Sequence, residues 1–254
     1  LLVSRDLTNN HIMKNLLTLA AIGAAILSPV WASASEPIVV ELYTSQGCSS
    51  CPPADAKLGE IAAEPGFIGL SFHVDYWDYI GWKDPFARPE HGKRQRAFAN
   101  KFGMSHVYTP QMVVQGITHA VGSRSDEIAD AVELATAMPR MPVTVTDTGA
   151  GVVQIEVPNA AGYVTPQDAR VILIGYDAFH ETAIKRGENS GKKLGYTNVV
   201  RSMEVVGDWS GDAVSISAAL PAEMTSAGGC VVIIQSIADG RILGAAQLKG
   251  TAAS

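Results

Sequence analysis

Apolar positions along the chain fall into two regimes. Up to about Ala137, compact apolar runs alternate with segments whose apolar residues recur every three or four positions. After Val143 nearly every run alternates in steps of two. Ile38-Val39-Val40-Glu41-Leu42-Tyr43 is β-branched and mostly apolar, which predicts a buried strand. Leu58, Ile61 and Ala62 stand at i, i+3 and i+4 and predict a helix to about Glu64, stopped by Pro65-Gly66. Phe67 to Val74 predicts a second strand. Asp75 to Pro89 has no period. A polar helix is expected from about Glu90 to Phe102, ended by Gly103. Met112 to Gln115 and Ile117 to Val121 predict a hairpin around Gly116. Ser123 and Asp126 have the spacing of a capping box for a helix to about Ala137. The predicted order is β-α-β-α-β-β-α.

Pro139 and Pro142 then mark a linker, and seven alternating runs follow: Val143–Thr146, Val152–Val157, Val171–Tyr176, Val199–Val206, Val214–Ala218, Val231–Ser236 and Ile242–Leu248. Short strands with Gly/Asn turns predict an all-β sandwich of about a hundred residues.

The N-terminus reads as an address. Lys14 precedes an uncharged run from Leu16 to Leu27, and Ala32-Ser33-Ala34 offers small residues for cleavage. That run is too short for the ~20 residues of a membrane span. Residues 13–34 are therefore expected to be a cleaved signal peptide and 1–12 an upstream extension. The mature protein is expected to be periplasmic or secreted and free of the membrane after cleavage, where disulfides persist. A net charge of −6 argues against a nucleic-acid partner.

The chemistry centres on Cys48-Ser49-Ser50-Cys51-Pro52-Pro53, set between a predicted strand and a predicted helix. At a helix N-terminus the unpaired N–H groups and the dipole favour a thiolate. Cys48 is the expected exposed nucleophile and Cys51 the shielded resolving thiol. Pro52 and Pro53, lacking N–H donors, fit only a first helical turn. An inert structural disulfide and a metal-binding pair remain alternatives. Structural zinc needs four ligands where the pair gives two, and two thiolates suit Cu(I).

These residues resemble the thioredoxin superfamily. Val40-Glu41-Leu42-Tyr43-Thr44 leading to Cys48 is similar to its strand-loop-cysteine passage. Phe98 to Gly116, through Val107-Tyr108-Thr109-Pro110, is similar to the passage from its third helix through its cis-proline. The resemblance covers about residues 37–137. It implies a redox pair at Cys48 and Cys51, a cis Pro110 and a substrate-pairing Thr109. Two departures stand out: no Trp precedes Cys48, and the buried acid of that family's first strand aligns with Leu42, one residue after Glu41. More narrowly, the chain is similar to an uncharacterised family of exported bacterial proteins that shares Gln46–Asp55, Phe72–Asp78 with Gly81-Trp82, Tyr108–Gln111, Arg186-Gly187-Glu188-Asn189 and Asn198–Arg201.

The expected fold class is an α/β thioredoxin-like domain over 35–141 followed by an all-β sandwich-like domain over 142–254. The expected function is thiol–disulfide oxidoreduction on a thiol- or disulfide-bearing protein or small thiol, through Cys48, Cys51, Thr109 and Pro110, with no cofactor and no metal. The alternative is a non-enzymatic binding module whose cysteine pair holds Cu(I) or braces the loop. Other candidates carry less. The aromatic residues of 67–108 suggest a lid beside Cys48 or a small core of their own. His73 and Asp75 could tune a thiol but more simply serve structure. Cys230 lies in an apolar run, as buried free cysteines do. Lys185-Arg186 and Lys192-Lys193 flank a segment that reads as a solvated hairpin tip rather than an anion-binding loop.

Overall fold

A computed structural model of the chain describes residues 36–225 and 228–250, which belong to one compact unit. The expected signal segment lies outside the described residues. Strand β1 (Ile38–Thr44) leads to helix α1 (Pro52–Ala63), β2 (Phe67–His73), a 3₁₀ turn at Asp78–Ile80, α2 (Pro89–Lys101), the hairpin β3 (Gln111–Val114) and β4 (Thr118–Val121), and α3 (Ser125–Thr136). Strands β5 (Thr144–Asp147), β6 (Val152–Val157), β7 (Ala169–Ala183), β8 (Lys193–Trp209), β9 (Val214–Ala219), β10 (Gly229–Ser236) and β11 (Ile242–Lys249) follow.

The expected fold class is not what forms. In place of an α/β domain followed by a separate sandwich, one mixed eight-stranded sheet runs in the order β11-β10-β7-β8-β2-β1-β3-β4, beside a three-stranded sheet β5-β6-β9. The chain is mostly β, with three α-helices among the described residues. The join is a parallel contact of β8 with β2, where Ser71 faces Val199. The physical reason is the open edge of β2, whose backbone groups at Ser71 are met by a strand from the second half. Alternation along β8 reports that one face is buried, not which sheet it joins. Asn198, at φ 49°, donates from Nδ2 to Gly69 O at 2.8 Å and secures the junction.

Period-two patterning distributes the core. Val40 and Leu42 of β1 face α1 and α3 with Met112, Leu58 and Ile128. Val39 and Tyr43 face the other side with Phe72 and α2's Phe98. Farther along the sheet, Val171, Leu173, Val232 and Ile234 pack on Val153 and Ile155 of the small sheet. Their alternates Ile172, Ile174, Val231 and Ile233 join the α2 side. The expected Ser123–Asp126 capping box does not form, because α3 begins at Ser125 with Arg124 as N-cap. Glu127 instead accepts from Val121 N at 2.9 Å and from Arg124.

Candidate functional site

Cys48 and Cys51 are joined by a disulfide with a Cα–Cα separation of 5.4 Å. Cys51 is the N-cap of α1, and Pro52 and Pro53 open the helix as expected. The dipeptide between the cysteines is exposed, but Cys48 itself is only 1% exposed and Cys51 fully buried, so the expected exposed nucleophile is covered in this disulfide form. The segment after β2 packs against the neighbouring Gly47. A methyl group on Gly47 would lie 3.2 Å from both Ile80 Cδ1 and Trp77 Cβ, a tight fit that would push this segment away by a few tenths of an ångström. Helix N–H groups contribute less at Cys48 than expected, because two are replaced by proline and that of Cys51 is donated to Cys48 O at 3.2 Å. The Ser50 hydroxyl, 3.4 Å from Cys48 Sγ, is a donor within reach of the sulfur.

The loop is held from the far half of the chain. Residues 184–192 form the tip of the long β7–β8 hairpin, and Asn189, fully buried there, donates from Nδ2 to Gln46 O at 3.0 Å and to Cys48 O at 2.9 Å. Gln46 donates from its own N to Asp84 Oδ2 at 2.8 Å, and its side chain joins Trp82 Nε1 to Thr182 Oγ1. Gly187, at φ 75°, lies against Trp82. The reading of 185–193 as a solvated tip thus fits its charged residues but not Asn189. The one signal for Asn189 was its place in the Arg186–Asn189 signature, which carries no chemistry on its face.

Behind the disulfide lies a buried ionisable cluster. Cys51, Asp55, Leu58 and Ala62 stand at i, i+4, i+7 and i+11, so Asp55 occupies the inward stripe of α1, and its exposure is 5%. Helical side chains lean toward the N-terminus, which sets the Asp55 carboxyl over the turn that begins at Cys51. Burial pushes this carboxyl up to about 7, with His73 and Thr44 offsetting only part of the effect. Asp55 Oδ1 has no protein partner. Asp55 also lines a cavity of about 350 Å³ with Pro52, Phe179 and Leu194. His73, fully buried, donates from Nδ1 to Asp84 Oδ2 at 2.7 Å. Burial pushes Asp84 up, but His73 and the N–H groups of Gln46 and Phe86 outweigh it and hold the carboxyl below its ordinary value. His73 is thus anchored to Asp84 through Nδ1, while its buried Nε2 has no protein partner, so the simpler structural reading is met on one side of the ring only. Asp55 went unread in the sequence, although its place at i+4 from Cys51 on an apolar stripe was the signal that could have found it; the role of Asp84 was hidden in an aperiodic stretch.

The remaining candidates divide. The Thr109–Pro110 peptide is cis, and Pro110 packs beside Leu42 and Ala54 around Gly122, next to the first turn of α1. Trp77 Nε1 donates to Thr109 Oγ1 at 2.8 Å, linking that residue to the segment packed against Gly47. Glu41 is on the opposite face from α1: Arg94 of α2 binds both its oxygens at 2.7 Å, and Tyr43 OH donates to it at 2.8 Å. Of the aromatic residues, Phe86 packs into a small cluster with Tyr196 and Val199, as the reading of a local core expected, while Tyr79, 81% exposed, stacks on Trp77. Cys230 is a buried free thiol that burial pushes up to about 11. Among the described residues no three His, Cys, Asp or Glu side chains are grouped to hold a metal ion.

Residues 39–235 match a family described as "Protein of unknown function (DUF1223)". A crystal structure of an Agrobacterium tumefaciens protein is similar at 31% identity and a TM-score of 0.73, covering 88% of this chain and 98% of that one. HBP35 of Porphyromonas gingivalis shares the fold at 11% identity and a TM-score of 0.54, over 85% of this chain and 76% of that one. No curated protein matches.

Proposed function

The chain belongs to this family of unknown function, DUF1223, and on that premise we propose that it is an exported thiol–disulfide oxidoreductase with a thioredoxin-like site at Cys48 and Cys51. The observation that carries the reading is the pairing of a Cys-x-x-Cys disulfide at a helix N-terminus with a buried acid one turn later. A brace for the loop needs no such acid. In the oxidised protein, a substrate thiolate attacks Cys48 Sγ, the new sulfur–sulfur bond forms, and Cys51 leaves as a thiolate. Protonated Asp55 neutralises it. A second substrate thiolate then releases Cys48, so that the substrate ends as a disulfide and the protein as a dithiol. Run backwards, ionised Asp55 takes the Cys51 proton as Cys51 resolves the mixed disulfide. A carboxyl near pH 7 serves both directions. Thr109, beside Pro110, is the proposed backbone partner of an extended thiol substrate, and Trp77 the side chain that must shift to admit it.

The burial of Cys48 favours a second reading, in which the disulfide is structural and the protein a non-enzymatic module. Cys51→Ser separates the two. Expressed in an exporting host and trapped with acid, this variant is expected to carry reductant-sensitive adducts through Cys48. A Cys51→Ser protein that stays folded and free of adducts would establish the structural reading.

A further inference from the structure

α2 packs on β1 and β2 of one face of the large sheet and reaches the β7–β8–β10 end through the Arg94–Gln235 hydrogen bond. Between them lies a cleft of about 490 Å³, within the range of small-molecule sites. Its floor is apolar. Phe98 and Ile172 are 2% and 6% exposed, whereas Val205 and Ile237, at 49% and 50%, leave large aliphatic surface open to solvent.

The rim is mostly basic, although Arg94 is ion-paired with Glu41. Lys93, Arg94, Lys101 and Arg170 line the cleft against one acid, Glu90. Lys101 Nζ is held by the carbonyls of Ile237 and Ala238, its stem packed against Gly240. Lys93 and Arg170 have no ion-pair partner among the described residues. Arg94 is a built anchor: its side chain is 8% exposed, and its guanidinium is fixed between the rings of Phe72 and Phe98. Of its five N–H donors, three are used on Glu41 and Gln235.

We propose that this cleft binds a long-chain carboxylate, its alkyl tail on the Phe98–Ile172–Val205–Ile237 floor and its head at the Lys93–Arg170 rim. The apolar floor disfavours inorganic anions and sugars, and the rim disfavours cationic amphiphiles. The inference stands apart from the redox reading, since it uses none of the residues around Cys48.

Calorimetric titration of the purified protein with dodecanoate below its micellar concentration tests it. Saturable one-to-one binding is expected. Butyrate, with the same head and a short tail, should bind at least about a hundredfold more weakly. Dodecyltrimethylammonium, with the same tail and the opposite head, should not saturate. The double variant Lys93→Glu, Arg170→Glu should weaken dodecanoate binding by about tenfold or more and flatten its salt dependence. Val205→Asp should weaken it comparably, both variants keeping the parent circular dichroism. Equal binding of the cationic amphiphile, undiminished binding by either folded variant, or no saturable binding would overturn the proposal. So would a concentration-dependent dimer abolished by Val205→Asp, which would assign the face to a second copy.

Discussion

At the scale of single residues, the sulfur pair is governed by two side chains that hydrophobic patterning does not flag as chemistry. Ser50 is exposed and has its hydroxyl 3.4 Å from Cys48 Sγ. In the reduced protein that donor would favour the Cys48 thiolate, and a hydrogen bond to a charged group contributes about 1.5–3 kcal/mol. Ser50→Ala is therefore expected to raise the Cys48 thiol pKa by about one unit, at about 1.4 kcal/mol per unit, read from the pH dependence of alkylation. An unchanged profile would remove Ser50 from the chemistry. Asp55 has a sharper signature. Its carboxyl holds a proton to about pH 7 in the fold but ionises around 3.8 when unfolded. Between those values the native state binds the extra proton, so stability falls as pH rises and levels off above about 7. Asp55→Asn removes that slope. Its thermal stability should match the parent near pH 4 and exceed it by up to about 4 kcal/mol from pH 7 upward. A gain independent of pH would show that the carboxyl is not held neutral. His91, which burial pushes down to about 4, slopes the other way below its ordinary value of 6.5, so the difference between variant and parent is the informative curve. The same substitution should slow thiol–disulfide exchange about a hundredfold and abolish its inflection near neutral pH.

At the scale of elements, the β7–β8 hairpin does two jobs that seem unrelated in the linear chain. Its middle completes the sheet against β2, and its tip secures the cysteine loop through Asn189. Its length makes this possible: β7 has 15 residues and β8 has 17, whereas the alternating runs in the sequence suggested six and eight. The extra residues near the tip, such as Glu181 and Lys193, are polar and exposed, so they fall outside a pattern that reports burial. Asn189→Ala leaves the buried Gln46 carbonyl without this donor, at about 1–3 kcal/mol, while Cys48 O keeps the Cys51 N–H. The expected outcome is a lower melting temperature by about 5–10 °C, at about 2–4 °C per kcal/mol, together with faster reduction of the disulfide by dithiothreitol. Destabilisation without faster reduction would mean the tip is only a structural support. The helices were more legible. α1 and α2 fall within about two residues of expectation because proline opens each and the patterning is helical throughout.

At the scale of the whole molecule, a single sheet through both halves implies joint unfolding. One cooperative transition is expected by heat and by urea, with near- and far-ultraviolet circular dichroism coincident. Two separable transitions would show that residues 35–141 and 142–254 fold as independent domains. Breaking the buried Arg94–Glu41 pair with Arg94→Met should cost about 3–5 kcal/mol, because it leaves a carboxylate uncompensated between β1 and α2. By itself the sequence determined the local elements, from the strand before Cys48 to the alternating runs after Val143, because propensity, proline and glycine placement and apolar period are properties of neighbouring residues. It also set the two cysteines a turn apart beside a helix start. The tertiary structure alone decided that β8 would close the edge of β2, that Asn189 would reach the cysteine loop from more than a hundred residues away, and that Glu41 would face Arg94 while Asp55 took the inward position. Strand partnership and the sharing of a buried site depend on contacts between distant segments, and an alternating pattern specifies that a face must be covered without specifying by what.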